Sequence, residues 1–208
     1  MRYATHSRAI PQTEPMADNL AANVSQLELN LLSRPSASAP PFVVTRPLRE
    51  HRSCNRLMQR LLYVRRYFSE FDGETIKVGL TRQAAGMAVP GSRELWLNPT
   101  HISYHTVAHE FVHLLQGRDL GIPAGERSCD VFSLARHWTL NDVCPSYVSV
   151  PVSLLDTRGM FIEEGARIVF GAATEALGRR HGGMRNYITW FESLLRERAL
   201  PLPPTAMV

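Results

Sequence analysis

The stretch His109-Glu110-Phe111-Val112-His113 holds two histidines four residues apart, with a glutamate directly after the first. On an α-helix, residues i and i+4 lie on one face a turn apart, so both imidazoles can bind a single metal ion. A glutamate between them is suited to take a proton from a water bound to that ion. The stretch predicts a zinc-dependent hydrolytic site with His109 and His113 as ligands and Glu110 as general base.

A catalytic zinc site needs a third protein ligand and one coordination position left for water or substrate. Glu126 and Asp130 are four residues apart and would share one face of a second helix. One of these carboxylates can then bind the metal while the other orients a ligand histidine. Asp119, six residues after the second histidine, is another candidate. We expect Glu126 to be the ligand, with Asp130 and Asp119 as alternatives.

Two further histidines, His101 and His105, continue the four-residue spacing. Three consecutive turns of one straight helix cannot wrap around one tetrahedral ion. We therefore expect His105 to contact a metal-binding residue or the substrate rather than the metal itself. Hydrolysis also needs a donor that stabilises the oxyanion of the tetrahedral intermediate. Candidate donors are His105, Tyr104, Arg127 and Tyr147.

Hydrophobic spacing indicates the elements that must position these residues. Residues 75–80 alternate as in a strand, and residues 94–97 (ELWL) read as a second short strand. A helix is predicted from about 101 to 116. Thr100 is its expected N-cap, and Gly117 is its expected C-terminal residue in the left-handed conformation.

Four further helices follow from periodic apolar residues and from turn signals between them. Together with the two strands they predict an α+β fold. In this fold a small sheet precedes the histidine helix, and a metal-ligand helix and C-terminal helices follow it. The predicted helices cover residues 49–71, 126–138, 157–178 and 184–198.

Composition divides the chain into three parts. Residues 1–42 read as a flexible tail or linker, because 33–41 are rich in proline, serine and alanine. Residues 43–200 are expected to form the folded domain, and residues 201–208 a short extended tail.

The whole chain has 208 residues with 44% apolar and 20% charged content, which is typical of a globular protein. Its apolar runs fall far short of the ~20 residues that cross a bilayer, and the N-terminus lacks the apolar core of a secretory signal. We therefore expect a cytoplasmic protein without a membrane partner. Three cysteines without a C-x-x-C pair argue against a disulfide framework or a cysteine zinc site.

The basic residues are almost all arginines, since Lys77 is the only lysine. Arg52, Arg56 and Arg60 recur every four residues and would form one basic stripe on a helix. Such a stripe is compatible with a solvated helix face, and also with nucleic-acid contact, for which charge alone is weak evidence.

The chain resembles the zincin metallopeptidases, and within them the gluzincin branch. The resemblance rests on the histidine pair with Glu110 and on the pair Glu126 and Asp130, and it covers residues 94–130. It implies a zincin-like fold, a Zn²⁺ cofactor held by His109, His113 and Glu126, and Glu110 as general base. It also implies that Asp130 orients His109, and that the 94–97 strand is the edge strand on which a peptide substrate lies.

The expected function is zinc-dependent hydrolysis of peptide bonds in a protein or peptide substrate. One alternative is a non-catalytic module in which the zinc ion has four protein ligands and only a structural role. Another is a regulatory peptidase acting on DNA-associated proteins, for which the arginine stripe is the motivation.

Overall fold

Four short strands form one mixed sheet in the computed structural model, which describes residues 40–199. The spatial order is β1-β2-β4-β3, with β1 parallel to β2, β2 parallel to β4, and β3 antiparallel to β4. The predicted C-terminal tail, 201–208, and residues 1–39 of the predicted N-terminal tail, 1–42, lie outside the described residues. The strands are β1 (Phe42–Val44), β2 (Ile76–Leu80), β3 (Gly86–Ala88) and β4 (Glu94–Leu97).

The strand Glu94–Leu97 was expected at the edge of the sheet, and that prediction is wrong. It lies between β2 and β3, and the antiparallel edge strand is Gly86–Ala88. The three residues Gly-Met-Ala show no strand-like alternation of apolar and polar side chains, and the glycine read as a turn. Pairing with β4 therefore defines this strand, rather than its own sequence preference.

Six α-helices accompany the sheet among residues 40–199, so the predicted α+β class is confirmed. The helix expected over 49–71 is broken into two helices and a 3₁₀ turn at Ser69–Phe71. The other predicted helices are present with shifted ends. The helices are α1 (Arg46–Arg49), α2 (Cys54–Arg65), α3 (Tyr104–Gln116), α4 (Glu126–Leu134), α5 (Glu163–His181) and α6 (Tyr187–Arg198).

Both ends of α3 differ from the prediction. Ser103, not Thr100, is the N-cap, and its hydroxyl accepts a hydrogen bond from the backbone N–H of Thr106. Gly117 ends the helix at φ −82°, which is outside the left-handed region. Close packing explains why residue 117 is a glycine, because a Cβ there would overlap the backbone of Gly91 in the turn between β3 and β4.

The first part of the core lies between the sheet and helices α2 and α3. Along β2, Ile76 and Val78 are buried while Lys77 points outward and pairs with Glu94. On α3, the ring of Phe111 packs against three aromatic rings at centroid distances of 5.1–6.3 Å. This burial fixes the rotation of α3 about its axis, and therefore which face its histidines occupy. The three rings belong to Phe42, Phe68 and Phe71.

The second part of the core lies between α4, α5 and α6. Small alanines of α5 meet larger side chains of α6 such as Phe191 and Leu195. The carboxylate of Glu192 on α6 accepts hydrogen bonds from Arg127 of α4 (2.7 Å) and from the backbone N–H of Ser149 (3.0 Å). Helix α6 therefore anchors both α4 and the loop that follows it.

Within residues 40–199, no helix combines the length and apolarity that crossing a membrane requires.

Candidate metal centre

Helix α3 carries three of the four spaced histidines on the face opposite its aromatic contacts. His105, His109 and His113 lie one turn apart on it, whereas His101 precedes the helix and is exposed. Two backbone N–H groups in the first turn donate to the carboxylate of Asp142, at 2.9 and 3.0 Å. A carboxylate at this end satisfies N–H groups that have no partner within the helix and so fixes where the histidine helix begins.

Three acceptor atoms meet where α3 and α4 pack together. His109 Nε2 and His113 Nε2 are 3.1 Å apart. Glu126 Oε2 lies 3.0 Å from the first nitrogen and 3.1 Å from the second. The loop 117–125 thus brings Glu126 back to the histidine pair.

Hydrogen bonds at the far ring nitrogens determine which tautomer each of these histidines adopts. Nδ1 of His109 is 2.8 Å from Oδ1 of Asp130, an ionised carboxylate that can only accept, so this nitrogen carries the proton. Nδ1 of His113 is 2.9 Å from Oε1 of Gln116. The amide orientation of Gln116 is set by its Nε2 group, which donates to two backbone carbonyls.

It follows that in the neutral rings both Nε2 atoms carry lone pairs, and these face each other and a carboxylate oxygen. Three acceptors at 3.0–3.1 Å repel one another unless a cation lies among them. A proton can bridge only one pair of these atoms at a time, whereas a metal ion can accept all three lone pairs. This arrangement fits a metal ion better than a set of hydrogen bonds.

Other groupings around the same histidines also bring potential ligand atoms within 4.8 Å of one another. One joins His105, His109 and Asp130, but there the carboxylate contacts Nδ1, the proton-bearing nitrogen of His109. The other joins the two motif histidines with Cys129, whose Sγ is 3.2 Å from Nδ1 of His113. Only Glu126 faces both lone-pair nitrogens, which makes it the best-placed carboxylate among residues 40–199.

Glu110 lies beside this cluster with a buried carboxyl group. Its Oε2 has no hydrogen-bond partner among the described residues. Burial raises the pKa of Glu110, the charges of His109 and His113 lower it, and the charge of Glu126 raises it, for a net increase. A buried carboxyl oxygen without a protein partner is suited to interact with a water or a substrate atom.

The edge strand β3 contacts Glu110 at Gly86. A Cβ at this position would lie 2.6 Å from both Cγ and Oε1 of Glu110, so a side chain there requires one of the two to move. Glycine at this position therefore lets the strand approach the carboxylate closely.

The cluster forms the floor of a cleft of about 460 Å³. One wall is β3 with the small residues before it, and the opposite wall is the loop after α4. Although the chain has a net charge of +4, no lysine or arginine among residues 40–199 lines this cleft. The walls include Ala84, Ala85, Gly86, Ala88, Val143, Cys144, Ser146 and Tyr147.

Asp130 is buried and holds several parts of the site together. Its Oδ1 contacts Nδ1 of His109 and, at 3.3 Å, Nε2 of His105. Its Oδ2 accepts from the backbone N–H of Tyr147 at 2.8 Å. Burial alone would raise the pKa of Asp130, but hydrogen bonds from the two histidines lower it to about 2. Burial alone would lower the pKa of His109, yet Asp130 raises it overall.

Of the four candidate oxyanion donors, Tyr147 and His105 line the cleft and Arg127 and Tyr104 do not. Tyr147 lines the cleft, half-exposed, with its ring stacked 5.9 Å from that of His109, and the charge of Glu126 raises its pKa. His105 also lines the cleft, but its ring nitrogens face Asp130 and, at 3.5 Å, Ser133. Arg127 pairs with a carboxylate of α6 and does not line the cleft, and neither does Tyr104.

Other residues singled out in the sequence lie away from the cluster. Asp119 is exposed in the α3–α4 loop and does not line the cleft. In the arginine stripe, Arg52 and Arg56 are exposed. Arg60 donates to the backbone carbonyl of Ile102 and lies over the Tyr104 ring, so its guanidinium serves the packing of α2 against the start of α3.

Sequence reasoning missed three residues that contact the cluster. Gln116 follows His113 by three residues, so helical spacing placed it on the same face and offered a signal. Gly86 gave none, since its role depends on the approach of a strand distant in sequence. Cys129 read as a core residue, and burial does raise the pKa of its thiol, which stays neutral beside His113.

Comparisons with known proteins found no matching family, no similar curated protein and no similar solved structure.

Proposed function

We propose that this protein is a zinc-dependent peptidase with His109, His113 and Glu126 as its zinc ligands. The observation that carries the proposal is the convergence of two lone-pair nitrogens and one carboxylate oxygen within 3.0–3.1 Å of one another, on the floor of a cleft. A buried carboxylate, Glu110, lies beside them.

The donor set suits zinc. Bonds of about 2.0–2.2 Å at tetrahedral angles put neighbouring ligand atoms about 3.3–3.6 Å apart, so the observed separations need adjustments of a few tenths of an ångström. Two imidazoles and one carboxylate are a ligand set found in catalytic zinc sites, which keep their fourth position for water or substrate. Glu126 is half-exposed on the cleft side, which supports an accessible fourth position.

Bound there, zinc would acidify a water molecule and polarise the scissile carbonyl group. Glu110 accepts the proton of the attacking water and then delivers it to the leaving amine. Burial raises the pKa of Glu110, which favours the uptake of a proton by this carboxylate. Tyr147 is the cleft residue best suited to donate a hydrogen bond to the oxyanion.

The open edge of β3 supports a peptide as the substrate. The carbonyl oxygen of Ala85 accepts from the backbone N–H of Asn98, just after β4, and the N–H of Val89 donates to the carbonyl oxygen of Glu94 in β4. Because these bonds alternate along an antiparallel strand, the amide groups of Gly86 and Ala88 point away from β4. An extended peptide can pair with such an edge and so lie along the cleft.

The test is the variant Glu110→Gln, which keeps the shape of the side chain and removes the base. We expect it to retain bound zinc, measured by atomic absorption, and to lose cleavage of casein and of a mixed peptide library. The matched control is Glu164→Gln at an exposed position of α5, which should cleave like the wild type. Equal activity of Glu110→Gln and wild type would remove Glu110 as base, and a zinc-loaded wild type that cleaves no peptide would contradict the peptidase assignment.

A further inference from the structure

The side chain of Gln116, in the last turn of α3, uses both its amide nitrogen and its amide oxygen around the candidate metal site. Its Nε2 donates to the carbonyl oxygens of Pro123 (2.6 Å) and Gly125 (3.2 Å). Its Oε1 accepts from Nδ1 of His113 at 2.9 Å. One amide therefore joins the end of the histidine helix to the loop that leads into α4.

The first consequence concerns His113. Because both amide hydrogens of Gln116 are used by carbonyl oxygens, its Oε1 is the atom that must face the ring. The proton then resides on Nδ1, and Nε2 keeps its lone pair toward His109 and Glu126. The thiol of Cys129 also lies 3.2 Å from Nδ1, but a neutral thiol is a weaker acceptor than an amide oxygen.

The second consequence concerns Glu126. Gly125, which receives one of the amide hydrogen bonds, directly precedes Glu126 and is the N-cap of α4. Its φ of 102° lies in the region that favours glycine, and it offers no side chain to cap the helix. The loop end therefore depends on contacts from elsewhere, and Gln116 supplies two of them.

We propose that Gln116 is a positioning residue that sets two of the three zinc ligands at once, by fixing the tautomer of His113 and the start of the helix that carries Glu126. The inference rests on the proposed zinc site. It accounts for a ligand that arrives only 13 residues after His113, because the short loop is tied back to the histidine helix at its far end.

A double-mutant cycle tests the coupling between Gln116 and Glu126. Gln116→Met keeps the length of the side chain and removes its donors and its acceptor. In the otherwise wild-type chain we expect it to weaken Zn²⁺ binding, measured by competition with a chelator, by about 10- to 100-fold. In a Glu126→Ala background the loop no longer delivers a ligand, so the same change should weaken binding by a clearly smaller factor.

The matched control is Gln59→Met, the same substitution at an exposed position of α2, which should leave zinc affinity unchanged. Equal factors for Gln116→Met in the two backgrounds would overturn the coupling. No loss of affinity in the wild-type background would overturn the whole inference.

A second measurement does not need the metal. Long-range ¹H–¹⁵N NMR of the metal-free protein should show His113 protonated at Nδ1, and Gln116→Met should shift the ring toward the Nε2-protonated form. Amide exchange in residues 117–126 should accelerate in the same variant and not in Gln59→Met. An unchanged tautomer and unchanged exchange would overturn the positioning role. If these signals move as expected while the wild type binds no zinc, the proposed function fails and the positioning of His113 stands.

Discussion

Asp130 and His109 are joined by a buried hydrogen bond of 2.8 Å between Oδ1 and Nδ1. The bond places the lone pair of the other ring nitrogen toward His113 and Glu126, and in the proposed zinc site it would make the histidine a stronger ligand. The second oxygen of the same carboxylate holds the backbone of Tyr147. The Asp130 side chain therefore connects the histidine helix on the floor of the cleft to the loop that carries Tyr147 in its wall.

The variant Asp130→Asn should weaken zinc binding by about 10- to 100-fold, because an amide cannot accept from both His109 and Tyr147. Isothermal titration with Zn²⁺ measures the change. Asp72→Asn, at an exposed position before β2, is the matched control and should bind zinc like the wild type. Unaltered affinity in Asp130→Asn would show that this hydrogen bond does not orient a ligand.

The contact between Gly86 and Glu110 gives a second prediction. Gly86→Ala should reduce peptide hydrolysis by about 10²-fold, since displacement of a catalytic group by about 1 Å has effects of that size. Zinc content should stay at the wild-type level, because the three atoms nearest to the added Cβ all belong to Glu110 and not to a proposed ligand. Activity and bound zinc are measured on the same sample.

The control for that substitution is Gly171→Ala within α5, where no atom of residues 40–199 outside the adjoining helix backbone lies within 4 Å of the added Cβ. It should keep full activity and raise the free energy of unfolding by about 0.5–1 kcal/mol, as alanine does in helix interiors. Wild-type hydrolysis by Gly86→Ala would mean that β3 does not fix the position of Glu110.

The third prediction concerns acid stability. Arg118, just after α3, makes a bidentate ion pair with Glu74 at 2.7 and 3.0 Å. The hydrogen bond with Arg118 lowers the pKa of Glu74 below its ordinary value of 4.5. Since the folded state favours the ionised carboxylate, the pair stabilises the fold fully above about pH 4.5. That contribution disappears as the pH falls through the lowered folded-state pKa.

Glu74→Gln should therefore lower the free energy of unfolding by about 1 kcal/mol at pH 7, measured by urea titration of the metal-free protein. The difference from wild type should shrink steadily below pH 4.5. Glu197→Gln, at an exposed position of α6, should show no such difference. A gap between Glu74→Gln and wild type that persisted or grew in acid would contradict the assigned role.

The parts of the fold that the sequence predicted are those with strong local patterns. The apolar residues of α3 follow a helical period, and that period alone indicates which face bears His109 and His113. Strand β2 alternates and β4 lies between turn residues, and both were located within a residue of their observed ends.

The unpredicted parts depend on contacts between segments distant in sequence. Strands β1 and β3 have three residues each, too few for a readable period, and β3 takes its edge position from pairing with β4. A glycine at position 117 was expected to end the helix in the left-handed conformation. The structure explains this glycine instead by the close approach of the Gly91 backbone.

The same distinction holds for the candidate site. Spacing favoured Glu126 as third ligand, and the resemblance implied that Asp130 orients His109. In the structure Asp130 lies 2.8 Å from Nδ1 of His109 and Glu126 lies 3.0 Å from Nε2, while the metal-binding role of Glu126 stays a prediction. Spacing alone left Asp119 open as a ligand, since only the path of the loop decides whether that carboxylate reaches the cluster. No local sequence pattern indicated that Gly86 contacts Glu110, because the two residues lie far apart in the sequence.

The most direct test is an anomalous-scattering map, recorded on both sides of the zinc absorption edge from crystals grown with Zn²⁺. We predict one strong peak bonded to Nε2 of His109, Nε2 of His113 and a carboxylate oxygen of Glu126, with no fourth protein ligand. Absence of a peak at these atoms in zinc-saturated crystals would contradict the zinc site, and a fourth protein ligand on the ion would contradict its catalytic role.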